Sequence, residues 1–184
     1  FTVEGEGYRK SGGIRAAAGA PVPDFTRLAL GLVLDSDAVV GDDGSVIGDP
    51  TEAALVVLAA KLGVDAAETR RTYPRLAEVP FDSEYKFMAT FHRMADRSGR
   101  EVVRCFVKGA PDVLIDRAST YWSPDGEVHA IASDQRAAAL AENERMAGSG
   151  ERVMVVARRD FDPSEIDLDG DLIGVHRTSV ASSG

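Results

Sequence analysis

Three features of the 184-residue sequence predict an α+β fold, an antiparallel β-sheet flanked by helices. From Lys86 to Phe106 the hydrophobic period is two, and residues 96–101 (DRSGRE) turn the chain back, which predicts two paired antiparallel strands. Asp49-Pro50-Thr51-Glu52 opens an apolar stretch of helical length. Hairpin-like segments are followed by helical ones along the chain with no internal repeat, the order expected of an antiparallel sheet with helices on its faces.

The elements follow in order. Residues 1–23 are rich in Gly and Pro, with a short extended start (FTVEGEGY) and then a loop. Phe25–Leu34 has helical spacing. Residues 37–48 (DAVVGDDGSVIG) read as two short strands around an Asp-Gly turn. In the next helix Asp49 is the expected N-cap, Pro50 the first helical residue and Glu52 the partner that closes a capping box. That helix is expected to present Leu55, Leu58, Ala59 and Leu62 on one face and to stop at Gly63. A further helix is expected over 65–73, and a short strand, Ala77–Val79, leads into residues 81–88 (FDSEYKFM). Lys108-Gly109 ends the second long strand, and Pro111-Asp112 starts a helix to about Ala118. A helix over Asp134–Ala147, a break at 148–150 (GSG), a buried strand over Arg152–Ala157 and a last strand over Leu172–Val175 complete the expectation. The whole, 1–184, is read as one domain, with 1–23 and 177–184 as loop or tail.

Composition narrows the function. An apolar fraction of 44% and a charged fraction of 28% are those of an ordinary globular domain. The apolar runs Leu28–Leu34 and Ala53–Ala60 fall far short of the ~18 residues that span a bilayer. No direct membrane insertion is expected. The net charge of −9, from 30 acidic and 21 basic side chains, disfavours a nucleic-acid partner. A polyphosphate ligand would meet the same repulsion, so a site for one must gather its few cations locally. A lone cysteine, Cys105, cannot form a disulfide within the chain and favours a reducing compartment. The chain opens with Phe and closes with ASSG, and is read as a fragment.

Each candidate motif has an ordinary reading beside the functional one. At Lys108-Gly109-Ala110-Pro111 a strand delivers a lysine, a glycine permits close approach to the backbone and a helix start follows, a junction suited to an anion or a polar ring edge. The plain alternative is a strand-to-helix connection with an exposed lysine. Phe81, just after Pro80, is either a core residue or an aromatic face for a base, with Lys86 within reach of the same cavity. Asp49 and Glu52 serve as helix-capping groups or as ligand contacts, and both roles are compatible. Arg152 is a phosphate contact or a surface arginine at a strand end. Residues 167–172 (DLDGDL) look like a phosphatase nucleophile loop, but FDPSEI precedes them where an apolar strand is needed, so a turn is the better reading. As a calcium loop the same string has Leu172 where Gly is required. His92, His129 and His176 are scattered and form no zinc pattern.

Taken together, GDPTE at 48–52, FDSEYKFM at 81–88 and KGAP at 108–111 resemble the nucleotide-binding domain of P-type cation-transporting ATPases, in its calcium-pump and sodium-pump-like branch. The resemblance covers nearly the whole chain, to about Val175. It implies that Glu52 contacts adenine, that Phe81 stacks on it, and that Lys86 and Met88 line the same cavity. Lys108 and Gly109 would form the floor, and Arg152 would reach toward the phosphates. Asp49, Thr51 and Ala110 are further candidates. The chain departs from the family pattern at Ser83, where a polar residue such as Arg is frequent, at Tyr85, and in KGAPD in place of KGAPE.

The function so implied is that of the ATP-holding, cytoplasmic domain of an integral membrane pump. It would hold adenine for phosphoryl transfer to an aspartate in a separate phosphorylation domain. ATP, with Mg²⁺ liganded mainly by that other domain, is the implied cofactor. The phosphorylation and actuator domains of the same pump are the implied partners. No catalytic or metal-ligating residue is assigned within the chain, and the isolated domain is expected to bind without turnover. A degenerate scaffold of the same fold, unable to bind nucleotide, is the alternative, with a haloacid-dehalogenase-like phosphatase behind it.

Overall fold

A computed structural model describes residues 1–16, 21–170 and 172. Its α+β architecture is the one expected, and its contacts gather into two compact units. The first comprises 1–73 with 123–127, and the second 74–122 with the chain from 128 onward.

In the first unit, β1 (Thr2–Val3), in the expected extended start, and β2 (Ile14–Arg15), in the expected loop, form a short antiparallel ladder. Helix α1 (Thr26–Leu34) is followed by the hairpin of β3 (Val39–Val40) and β4 (Val46–Ile47) around Gly44 at φ 85°. Helix α2 (Pro50–Lys61) starts as expected, with the Asp49 carboxylate accepting from the N–H groups of Thr51 and Glu52 at 2.8 and 3.1 Å. It ends before Gly63, which is left-handed at φ 85°.

Its buried face differs from the expected one. Ala53, Val56, Val57 and Ala59 are buried, whereas Leu55, Leu58 and Leu62 are only partly so. The helix is apolar nearly all round, so its sequence gives no direction. Contacts with α1 on one side and β3, β4 and α3 (Ala66–Thr72) on others select the small residues.

The second unit is built on a four-stranded antiparallel sheet of order β10-β7-β6-β5, comprising β5 (Arg75–Asp82), β6 (Phe87–Ala95), β7 (Glu101–Gly109) and β10 (Val155–Phe161). On one face Val79, Phe87, Ala89, Phe91, Val103, Cys105 and Val107 form the core with Leu114 of α4 (Pro111–Arg117) and with Ile166 and Leu172. The alternation in β6 therefore does not separate core from solvent. Met88, Thr90 and His92, on the other face, are buried too, as are Arg104, Phe106 and Lys108 of β7. Arg104 makes a two-pronged ion pair with Asp160, its cross-strand neighbour, with Nε and Nη2 each 2.6 Å from a carboxylate oxygen. That contact fixes the register of the edge strand β10 on β7.

β10 begins at Val155 rather than at Arg152 and is half-buried. Val155 pairs with Gly109, the last residue of β7, after which the chain turns into α4. Residues 152–154 thus lie beyond the end of the β10–β7 ladder. A hairpin of β8 (Thr120–Trp122) and β9 (Val128–Ala130) was not anticipated, although Pro124-Asp125-Gly126 is a turn signal. Helix α5 (Ser133–Gly148) matches the expected span and carries no buried residue. Residues 167–170 form a turn, with Asp167 Oδ1 accepting from the Asp169 N–H at 3.1 Å. Of the last expected strand, 173–175 lie outside the described residues.

Gly109 is required by packing. A Cβ there would stand 2.5 Å from the Lys86 carbonyl oxygen and 2.7 Å from the Phe87 Cβ. The close approach that its missing side chain permits is that of β6, in the sheet. Gly109→Ala is expected to lower stability by roughly 1–3 kcal/mol through overpacking, measured as a drop in the denaturant midpoint with an unchanged slope.

The tight turn from β6 to β7 depends on Asp96. Its carboxylate accepts from the Ser98 hydroxyl at 2.7 Å and from the N–H groups of Ser98 and Arg100 at 2.8 and 3.0 Å. These bonds, the Ser98 hydroxyl foremost, lower its pKa from 3.8 to about 2. Because the folded value is depressed, the contribution is complete above the unfolded value and is lost as pH falls from about 4 toward 2. An NMR titration should find the Asp96 carboxyl midpoint well below that of the Asp96→Glu or peptide reference carboxyls, and removal of Ser98 by Ser98→Ala should bring it up.

Candidate functional site

The register of the sheet decides which of the candidate residues meet. Val79 pairs with Ala89, but Asp82 pairs with Phe87, so β5 carries one residue more than β6 between those pairs. Pro80 and Phe81 together stand opposite the single residue Met88. This is a β-bulge, and Pro80 is the residue that suits it, because β5 is an edge strand and a bulged proline removes no needed ladder donor. The bulge denies Phe81 the place opposite Phe87 in the core. Phe81 is 64% exposed, and the core reading of it is overturned.

Met88 pairs with Lys108, and Lys108 with Val156. One cross-strand row therefore runs Phe81, Met88, Lys108, Val156, next to the end of the sheet. Lys108 is not an exposed lysine at a connection. It is 5% exposed, with Nζ 3.1 Å from the Met88 sulfur. A buried ammonium beside a polarisable sulfur and near an exposed aromatic ring is an unusual neighbourhood for a sheet face.

Lys86 lies where the loop from β5 enters β6. Asp82 shapes that loop, its carboxylate accepting from the Glu84 N–H at 2.7 Å and its carbonyl from the Lys86 N–H at 2.7 Å. Lys86 itself is left-handed at φ 58°, uncommon for a residue with a side chain. The Ala110 N–H donates to the Lys86 carbonyl at 3.0 Å, so the backbone of the KGAP junction is engaged by the FDSEYKFM loop. The Lys86 ammonium donates to Asp112 Oδ2 at 2.9 Å, and that hydrogen bond holds the Asp112 carboxyl below its ordinary pKa.

The sheet end thus brings together Phe81, Lys86, Met88, Lys108, Gly109 and Ala110. Arg152 is exposed and precedes Val155, the partner of Gly109, by three residues. Glu52, Asp49 and Thr51 belong to the other compact unit. There Glu52 Oε2 accepts from the N–H groups of Asp37 and Ala38 at 2.8 and 3.2 Å. Arg70 holds the carbonyls of Ser36 and Ala38 at 2.8 and 3.0 Å, so 36–38 is clamped through both its donors and its acceptors. Two contributors to the site are faint in the sequence. Pro80 within a strand was the available sign of a bulge. Asp112 was seen only as a helix-start residue, and nothing in its spacing announced a pair with Lys86.

Residues 25–182 match the family model described as P-type ATPase, cytoplasmic domain N. The chain is 35% identical over 79% of its length to Calcium-transporting ATPase 1 of Lactococcus lactis, and 33% identical over 94% to Cation-transporting ATPase pma1 of Synechocystis. It is 34% identical over 84% of its length to the mouse Calcium-transporting ATPase type 2C member 1. It spans 16%, 19% and 17% of those three proteins, respectively, which makes it similar to one part of each. With the matched model covering most of the sequence, the chain belongs to the family of cytoplasmic N domains of P-type ATPases.

Proposed function

We propose that this domain holds the adenosine end of ATP for a P-type cation-transporting ATPase. The observation that carries the reading is the cross-strand row of Phe81, Met88 and Lys108, with a bulge that keeps an aromatic ring out of the core. Phe81 stacks on adenine, Met88 packs against the ring edge and Lys108 and Gly109 form the floor. Lys86 and Arg152 draw the phosphates, and Ala110 lies beside them. The donor set suits the ligand: one exposed π-face and ammonium groups in an otherwise acidic chain of net charge −9.

The reaction is divided between domains. Phosphoryl transfer needs positioned charge around the terminal phosphate, and no residue here is assigned that work. Mg²⁺, when bound with ATP, neutralises phosphate charge, and its ligands would come mainly from a separate phosphorylation domain. The isolated chain therefore binds without hydrolysis. Its place is the cytoplasmic side of a membrane pump, with the phosphorylation and actuator domains as partners. Among the described residues no helix is long and apolar enough to cross a membrane.

A second reading, a scaffold of the same fold without nucleotide binding, draws on the same geometry. Lys108 is buried against Met88, and Lys86 is already engaged by Asp112.

An NMR titration of the chain with ATP separates the two. The expected result is fast-exchange shifts at Phe81, Lys86, Met88 and Lys108 with Kd on the order of 10 μM to 1 mM, or ~4–7 kcal/mol. Phe81→Ala should weaken binding by roughly 1–3 kcal/mol, the range of base–aromatic stacking. An unshifted spectrum at several millimolar ATP favours the scaffold.

A further inference from the structure

We infer that Asp112 is an internal anion seated on Lys86, competing with nucleotide phosphate for that ammonium and so setting the preference of the site between phosphorylated and unphosphorylated ligands. The inference rests on the reading of Lys86 as a phosphate contact. Three observations support it.

The pair is reachable and easily broken. Lys86 Nζ and Asp112 Oδ2 are 2.9 Å apart, and the two side chains are 52% and 55% exposed. Ion pairs this exposed contribute little to stability, so an incoming anion displaces the carboxylate at small cost. The exchange needs no backbone movement. The Lys86 N–H is bonded to Asp82, and its carbonyl takes the Ala110 N–H, so the main chain is pinned and only the lysine stem has to swing. Asp112 is fixed in turn, on the second residue of α4 immediately after Pro111.

The ammoniums of the site also differ in kind. Lys108 is buried against Met88, whereas Lys86 is on the surface with a carboxylate as partner. The partner of Lys86 carries the same charge as a phosphate. A phosphorylated ligand must take the ammonium from Asp112 and then tolerate that carboxylate nearby. Adenosine meets neither demand. Asp82 and Glu84 share the loop, so the local field stays acidic even without Asp112.

The test compares ATP with adenosine in the wild-type chain, Asp112→Asn and Asp112→Ser, each first checked for a native amide spectrum. Both substitutes keep a polar side chain in the first turn of α4, and the use of two keeps the test open should one fail to fold. The expected result is that ATP binds roughly 2- to 5-fold tighter in the variants, the scale of one exposed ion pair. Adenosine affinity stays unchanged, and the ATP gain shrinks as salt is raised from 20 to ~300 mM. In a Lys86→Met background the same substitution should give a smaller gain. An unchanged or lowered ATP preference in Asp112→Asn and Asp112→Ser overturns the inference while leaving the nucleotide site standing. Failure of the wild-type chain to bind either ligand overturns the nucleotide site, and the inference with it.

Discussion

The extra residue in β5 is the constraint on which the candidate site depends. Between the Val79–Ala89 and Asp82–Phe87 pairs the edge strand must fit two residues against one. Without that shift, strict alternation would carry Phe81 to the face of Val79 and Phe87, where the core would take it. With it, an aromatic residue stays exposed in a cross-strand row that includes a buried lysine. The cost is local: a bulged edge, a left-handed Lys86 and a loop held by Asp82. Such irregularities are placed where a side chain has to be aimed.

The rest of the second unit keeps that end of the sheet in register. Gly109 lets β6 and β7 close where a side chain would collide with Lys86 and Phe87. The Ala110 N–H then ties the start of α4 to the same lysine's carbonyl. At the far end the Arg104–Asp160 pair locks β10, and the Asp96 turn locks β6 to β7. The two motifs FDSEYKFM and KGAP are thus one structural object, joined by backbone hydrogen bonds before any ligand is considered.

How much of this was legible follows from the physics of each element. The Asp49-Pro50 helix start and the period-two strands were plain, because caps and alternation are local signals. The buried face of α2 was not, since an apolar helix has no preferred side until its neighbours are in place. The burial of both faces of β6 was equally hidden: Thr90, His92, Arg104 and Lys108 are residues that sequence patterning assigns to solvent. The strand start at Val155 was misread as Arg152, because only the partner strand's end determines it. Exposure of Phe81 needed the bulge, and Pro80 was its sole advance sign. The Lys86–Asp112 pair spans 26 residues and has no sequence pattern at all.

Under the proposed function, division of the reaction between domains gives the arrangement its sense. A domain that grips only the base and loosely steers the phosphates can hand the terminal phosphate to another domain, where transfer charges are assembled. The most direct test of the central claim is a set of intermolecular NOEs between ATP and the methyl- and aromatic-labelled chain. The account predicts contacts from adenine H2 and H8 to the Phe81 ring and the Met88 methyl together. NOEs from adenine to other residues with none to Phe81 or Met88 would contradict it.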